Sequence, residues 1–150
     1  MENTPTRFDI LQAEIAKMIE LTSYRTKNNK KKSFRIYISI AISSALITFL
    51  VAVGDDFPNF KTTIKILTLF FSAMSTIFAA WDGFYSYKEL WVIYGDTRDR
   101  LKELELKTKL ATKEEKNDPE YISKIHTEFQ SIVNKGKYKW KELRLDDNGN

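Results

Sequence analysis

Cysteine is absent from this chain of 150 residues, and histidine occurs once, at His126. The lack of cysteine excludes disulfides, zinc–thiolate sites and thiol nucleophiles, and a single histidine excludes a multi-histidine metal site. The sequence also lacks the GxGxxG, P-loop, HExxH and GxSxG patterns that hold nucleotides, metals or a catalytic serine. We therefore predict that the protein is not an enzyme and that it binds no cofactor and no metal.

Charge is nearly missing from two stretches, although charged residues make up 29% of the chain. The first is FRIYISIAISSALITFLVAV at 34–53, and the second is IKILTLFFSAMSTIFAAW at 64–81. About 20 helical residues cover roughly 30 Å, the thickness of a hydrocarbon core. A buried hairpin in a soluble protein would need a protein shell that the remaining, mostly charged residues are too few to supply. The first stretch also begins too late in the chain for a cleaved signal peptide. The sequence predicts two transmembrane helices.

The connector between the spans, GDDFPNFKTT at 54–63, contains the glycine, aspartate and proline typical of a turn. The spans therefore form an antiparallel hairpin. Five basic residues precede or begin the first span, and two accompany the connector: Lys27, Lys30, Lys31, Lys32 and Arg35 against Lys61 and Lys65. This imbalance predicts that both chain ends are cytoplasmic. We call the first five residues the basic cluster. Next to a span, they suit a membrane surface of anionic lipid better than nucleic acid, so no direct nucleic-acid partner is expected.

Three amphipathic cytoplasmic helices are predicted around the spans. One covers 6–26, with Phe8, Leu11 and Ile15 on its apolar face, and a second continues the second span to about residue 112. Asp118 and Pro119 start a C-terminal helix over 119–135, and a tail follows at 145–150. The fold class is thus an all-α membrane protein of one domain, 1–150. The apolar stripes either pack on one another or are shared between subunits.

Small polar residues lie inside the spans, and Asp82 follows the second one. The candidates are Ser39, Ser43, Thr68, Ser72, Ser75, Thr76 and Asp82. Small residues and hydroxyls allow close packing between membrane helices. The same residues are also compatible with a polar pore wall in an oligomer. Both interpretations remain open from the sequence, and the absence of a charge at mid-span argues against a proton relay or an ion-coupled transporter.

This layout, with YRTKNNKKKSFR before the first span and WVIYGDTRDRLKELELK after the second, resembles the SLATT superfamily of bacterial conflict systems. The positions that carry the resemblance after the second span are Trp91, Tyr94, Arg98, Leu101 and Glu105. The resemblance implies a two-transmembrane effector of antiphage defence in the bacterial inner membrane. Such an effector forms a homo-oligomeric pore or disrupts the membrane, and causes abortive infection. Its trigger would come from a sensor or a nucleotide-signal-producing protein encoded nearby.

A second function from a different class is compatible with the same features. In this alternative the chain is a non-enzymatic membrane anchor or scaffold whose cytoplasmic helices bind a partner protein. A pore requires the polar stripe of the second span to face water, whereas an anchor does not require the stripe.

Overall fold

The computed structural model describes residues 5–54 and 56–146, and every element in that part of the chain is a helix. The predicted all-helical class is therefore confirmed. The helices are α1 (Arg7–Val53), a short 3-10 helix (Pro58–Phe60), α2 (Lys61–Tyr85), α3 (Tyr87–Leu110), α4 (Lys113–Asn117) and α5 (Pro119–Asp146). The chain divides into two compact units. Residues 1–28 and 89–150 form the core unit, and residues 29–88 form the span unit.

Helix α1 is a single element, where the sequence predicted separate helices over 6–26 and 34–53. The intervening stretch is rich in lysine and contains no proline or glycine. Lysine is a good helix former, so nothing local ends the first helix before the span begins. The helix starts at a reciprocal cap. The Asp9 amide donates to Thr6 Oγ1 at 3.2 Å, and the Thr6 amide donates to Asp9 Oδ2 at 2.9 Å.

The connector brings the end of α1 against the start of α2. A Cβ atom added at Gly54 would lie 3.2 Å from the Leu50 carbonyl oxygen and 3.6 Å from a methyl group of Ile64. A larger residue at position 54 would therefore crowd the Leu50 carbonyl oxygen and make an ordinary van der Waals contact with Ile64. Pro58 then opens the short 3-10 helix, where its fixed φ suits a first helical position.

Ser86 separates α2 from α3, where the sequence predicted one helix running to about residue 112. Its backbone is left-handed, with φ 45° and ψ 43°, and its amide donates to the Asp82 carbonyl at 2.8 Å. This conformation costs a non-glycine residue about 1–2 kcal/mol. The stacked rings of Tyr85 and Tyr87, 5.2 Å apart, hold the two helix ends together and offset that cost. No glycine or proline marks the break in the sequence.

The hydrophobic core of the core unit is built by three helices from opposite ends of the chain. Its buried residues are Leu11 and Ile15 of α1, Leu101 and Leu104 of α3, and Ile125 and Phe129 of α5. The three apolar stripes found in the sequence thus pack on one another. Two ion pairs also join α3 to α5: Lys107 to Glu128 at 2.7 Å and Lys139 to Asp96 at 3.5 Å.

The chain between α3 and α5 is organised by side-chain caps. Thr112 and Glu115 form a capping box that starts α4, a helix that the sequence did not predict. Helix α5 begins at Pro119, and Asp118 Oδ1 accepts a hydrogen bond from the Glu120 amide at 3.0 Å. The helix then continues to Asp146, beyond 119–135 and into the predicted tail, of which 147–150 lie outside the described residues.

Candidate functional site

The apolar faces of both long helices are left uncovered by the protein. The most apolar 18-residue stretch of Arg7–Val53 is 6% buried, and that of Pro58–Leu110 is 0% buried. A core helix of a soluble protein would be mostly buried. Two helices long and apolar enough to cross a membrane therefore present their side chains outward, as lipid contact requires.

The polar residues of the spans differ in how far the protein buries them. Ser43 is the single buried residue in the described part of the span unit, and Ser39, Thr68 and Ser75 are half-buried. Ser72 and Thr76 are exposed. The threonine hydroxyls also bond within their own helix: Thr68 donates to the Ile64 carbonyl at 2.9 Å and Thr76 to the Ser72 carbonyl at 3.0 Å. These groups are therefore satisfied without water.

Asp82 lies near the end of α2 and is half-buried. Its Oδ1 atom is shielded from solvent and has no hydrogen-bond partner among the described residues. A shielded carboxylate oxygen without a donor is uncommon in native proteins.

The basic cluster lies on α1, directly before the apolar stretch. Lys27, Lys30, Lys31, Lys32 and Arg35 are all exposed. The Lys32 ammonium lies 5.2 Å from the centre of the Tyr87 ring, in the range of a cation–π contact. Charged side chains at this place on a spanning helix can reach the headgroup layer while their stems cover apolar surface.

The residues that carried the family resemblance have structural roles. Leu101 is completely buried in the core. Arg98 pairs with Asp99 at 2.8 Å, and Glu105 pairs with Lys109 at 2.8 Å. Trp91 is half-buried. None of these contacts requires an effector function.

A cavity of about 490 Å³ opens in the core unit between α1, α3 and α5, and the sequence did not predict it. We call it the basic–aromatic pocket, because Arg25 and Lys137 supply its charge and Tyr94 and Trp140 supply its rings. The Arg25 guanidinium lies 5.4 Å from the centre of the Tyr94 ring. The pocket draws on three distant segments, so no local pattern reveals it. The one sequence signal is the alternation of lysine and aromatic residues in KGKYKWK at 135–141.

One family model matches the chain, over residues 11–146. Its description is microsomal signal peptidase 25 kDa subunit (SPC25). The matched region includes both apolar stretches, the basic cluster and nearly all of the core unit. Neither a curated protein nor a solved structure matches the chain.

The match overturns the resemblance to the SLATT superfamily. The assignment as a bacterial antiphage effector, and with it pore formation and abortive infection, is wrong, because the matching family is a signal peptidase subunit. The resemblance depended on a layout of helix, span, turn and span. Among its quoted positions, Leu101 lies in the core, Arg98 and Glu105 form ion pairs, and the Tyr94 ring contacts Arg25.

The match also corrects the predicted location, since the family description is microsomal and not bacterial. It agrees with the predicted membrane character, and with α1 and α2 as helices that can cross a bilayer. Because the family model covers all but the two ends of the sequence, the chain belongs to the microsomal signal peptidase 25 kDa subunit (SPC25) family.

Proposed function

We propose that this chain is a non-catalytic membrane subunit of a signal peptidase complex in the endoplasmic reticulum. The family match over residues 11–146 is the observation that carries the proposal. The two apolar stretches with almost no buried surface support it, because they need cover from lipid or from other membrane subunits. In this role the chain supplies binding surface to the complex and no catalytic group.

Association with the other subunits is tested by purification. The tagged full chain, solubilised in a mild detergent, is expected to recover the catalytic signal peptidase subunit from microsomal membranes. A matched control is a tagged two-span microsomal protein of another family at equal expression. Recovery of no peptidase subunit, or equal recovery with the control, contradicts the proposal.

The proposed topology is a hairpin with both chain ends on the cytoplasmic face. The excess of basic residues before the first span supports this orientation, and the short connector requires the second span to return. A Cβ atom added at Gly54 would lie 3.6 Å from a methyl group of Ile64, which supports a tight reversal of the chain between the spans. The core unit then lies in the cytoplasm.

Single cysteines test this topology without background, because the chain has no cysteine of its own. In sealed microsomes an impermeant maleimide is expected to label Asn134→Cys, on α5, at once. Asn59→Cys, in the connector, is expected to react only after detergent opens the vesicles. The opposite order of reactivity contradicts the orientation.

Within the membrane we propose that the small polar residues serve helix packing. Ser43 of α1 is buried, and Thr68 and Ser75 of α2 are half-buried. All three side chains are small. Small side chains let helix backbones approach closely, which is the main source of packing energy between membrane helices. Ser43→Leu is expected to weaken recovery of the partner subunits or to lower the amount of folded chain, whereas the exposed Ser44→Leu is not.

A further inference from the structure

The basic–aromatic pocket has the composition of a site for an anionic amphiphile. Two cationic side chains, Arg25 and Lys137, stand at a cavity whose remaining lining is mainly apolar or aromatic. No acidic residue lines it. In the part of the chain that the structure describes, neither cation lies within ion-pair distance of a carboxylate. Their charge is therefore available to a ligand.

The apolar part of the pocket matches the other end of such a ligand. Met18 and Leu21 of α1 and Val133 of α5 line the cavity beside the two rings. Trp140 keeps 38% of its surface exposed, and Leu21 keeps 40%. Aromatic rings next to lysines are typical of protein surfaces at the headgroup level of a membrane. A free inorganic anion would leave this apolar surface uncovered.

The position of the pocket along the chain points to the membrane surface. Eight residues separate Arg25 from Phe34, where the first apolar stretch begins, and four of the five basic-cluster residues lie between them. Lysine and arginine side chains attract anionic lipid, so the segment that follows Arg25 in the chain favours a membrane surface of this composition.

We propose that the basic–aromatic pocket binds the headgroup of an anionic phospholipid. Arg25 and Lys137 pair with the headgroup phosphate through charge-assisted hydrogen bonds, and Tyr94 and Trp140 cover the glycerol and the first acyl carbons. The proposal rests on the proposed membrane insertion of the spans. An acidic protein segment is the competing ligand. The lipid is favoured because the lining is largely apolar and because the chain leads directly from the pocket into a span.

The test uses the full chain in a neutral detergent and measures bound phosphatidylserine and phosphatidylcholine by native mass spectrometry. The pocket variant is Arg25→Gln with Lys137→Gln. The matched control is Lys17→Gln with Lys124→Gln, which removes the same charge from exposed positions of the same helices. The pocket variant is expected to bind phosphatidylserine about tenfold more weakly, a total loss of about 1.4 kcal/mol for the two contacts together, and the control is expected to change less than about twofold.

Two further variants separate loss of the site from loss of the fold. Arg25→Lys with Lys137→Arg keeps both charges and is expected to retain binding. Leu21→Trp narrows the cavity without changing charge, and is expected to weaken phosphatidylserine binding roughly fivefold, about 1 kcal/mol. Equal losses in the pocket and control variants, or full binding in both the pocket variant and Leu21→Trp, overturn the proposal. Tighter binding of a polyglutamate peptide than of phosphatidylserine also overturns it, in favour of an acidic segment.

The same variants keep this inference distinct from the proposed function. Recovery of peptidase subunits and resistance to alkaline extraction are expected to remain at the level of the unmodified chain in the pocket variant. Loss of lipid binding with normal recovery supports the pocket assignment. Failure of recovery by the unmodified chain contradicts the proposed function and does not involve the pocket.

Discussion

Single residues set the closest approach between helices in the core unit. A Cβ atom added at Gly136 of α5 would lie 2.7 Å from Oγ1 of Thr97 on α3, nearer than such atoms approach in real structures. Thr97 is buried, and its hydroxyl donates to the Ile93 carbonyl at 2.9 Å, so the side chain has little freedom to move away. The sequence predicted that the C-terminal helix ends at residue 135, just before Gly136, because the residue that Gly136 opposes is unknown until the fold is known.

Gly136→Ala is expected to destabilise the core unit by about 1–2 kcal/mol, because the overpacking cost exceeds the gain in helix propensity. In a Thr97→Ala background the obstructing atoms are gone. The same change is then expected to stabilise the unit by about 0.5–1 kcal/mol. Denaturant titrations of the four proteins of this cycle measure both values. A cost of Gly136→Ala that is the same in both backgrounds contradicts the contact.

The raised pKa values of two residues predict how the stability of the core unit changes at high pH. The hydrogen bond from Lys107 to Glu128 raises the pKa of Lys107 above its usual value, and burial raises the pKa of Tyr121. The folded state therefore keeps protons that the unfolded chain has lost once the pH exceeds about 10. Stability is fully present below that pH and declines as the pH rises through the raised pKa values.

Tyr121→Phe removes one of these groups and is expected to reduce the loss of stability between about pH 9 and pH 11. Thermal unfolding at a series of pH values measures the slope. The exposed Tyr138→Phe is the control and is expected to leave the slope unchanged. A slope for Tyr121→Phe equal to that of the unmodified protein contradicts the attribution to Tyr121.

At the scale of elements, the sequence predicted which segments are helical better than where they end. Apolar periodicity placed helices at both chain ends, and the Asp118–Pro119 pair marked the start of α5, because these signals act within one turn. The fusion of two predicted helices into α1 and the break at Ser86 have no such local signal. The break coincides with the stacking of Tyr85 on Tyr87, which only the folded chain displays.

Ser86→Gly is expected to stabilise the chain by about 0.5–1 kcal/mol, because glycine adopts the left-handed conformation without steric cost. Ser86→Val is expected to destabilise it by about 1–2 kcal/mol. Ser131→Gly, inside α5, is the matched control and is expected to cost about 0.5 kcal/mol. Unfolding of the full chain in mixed micelles, followed by circular dichroism, measures all three. A destabilising Ser86→Gly contradicts the assigned backbone conformation.

At the scale of the whole molecule, the two units differ in how their apolar side chains are buried. The core unit has a buried apolar core that includes Ile15 and Leu101, whereas in the described part of the span unit no large apolar side chain is buried. Composition alone predicted the spans, because long uncharged runs are explicit in a sequence. It did not predict the family, since many two-span proteins share the same distribution of charge. The basic–aromatic pocket could not be predicted from the sequence either, because its lining residues come from three distant segments.

Leu101→Ala is expected to destabilise the core unit by about 2–5 kcal/mol through the cavity it leaves. Membrane insertion is expected to survive, because the spans belong to the other compact unit. Limited proteolysis and alkaline extraction of the same membranes separate these effects. Leu106→Ala, on the exposed side of α3, is expected to change neither measurement. Release of the Leu101→Ala protein by alkaline extraction contradicts independent insertion.

The close approach of Gly136 to Thr97 also determines how α5 is rotated about its own axis. A turn of the helix about its axis by one residue, roughly 100°, would replace glycine with Lys135 or Lys137 at the narrowest point of the interface. Neither side chain fits where a single methyl group is too large. Gly136 thus allows one orientation of α5 about its axis and disfavours orientations rotated by one residue. In that orientation Lys137 and Trp140 are presented to the same cavity, so the smallest residue of α5 determines which of its lysines can meet a ligand.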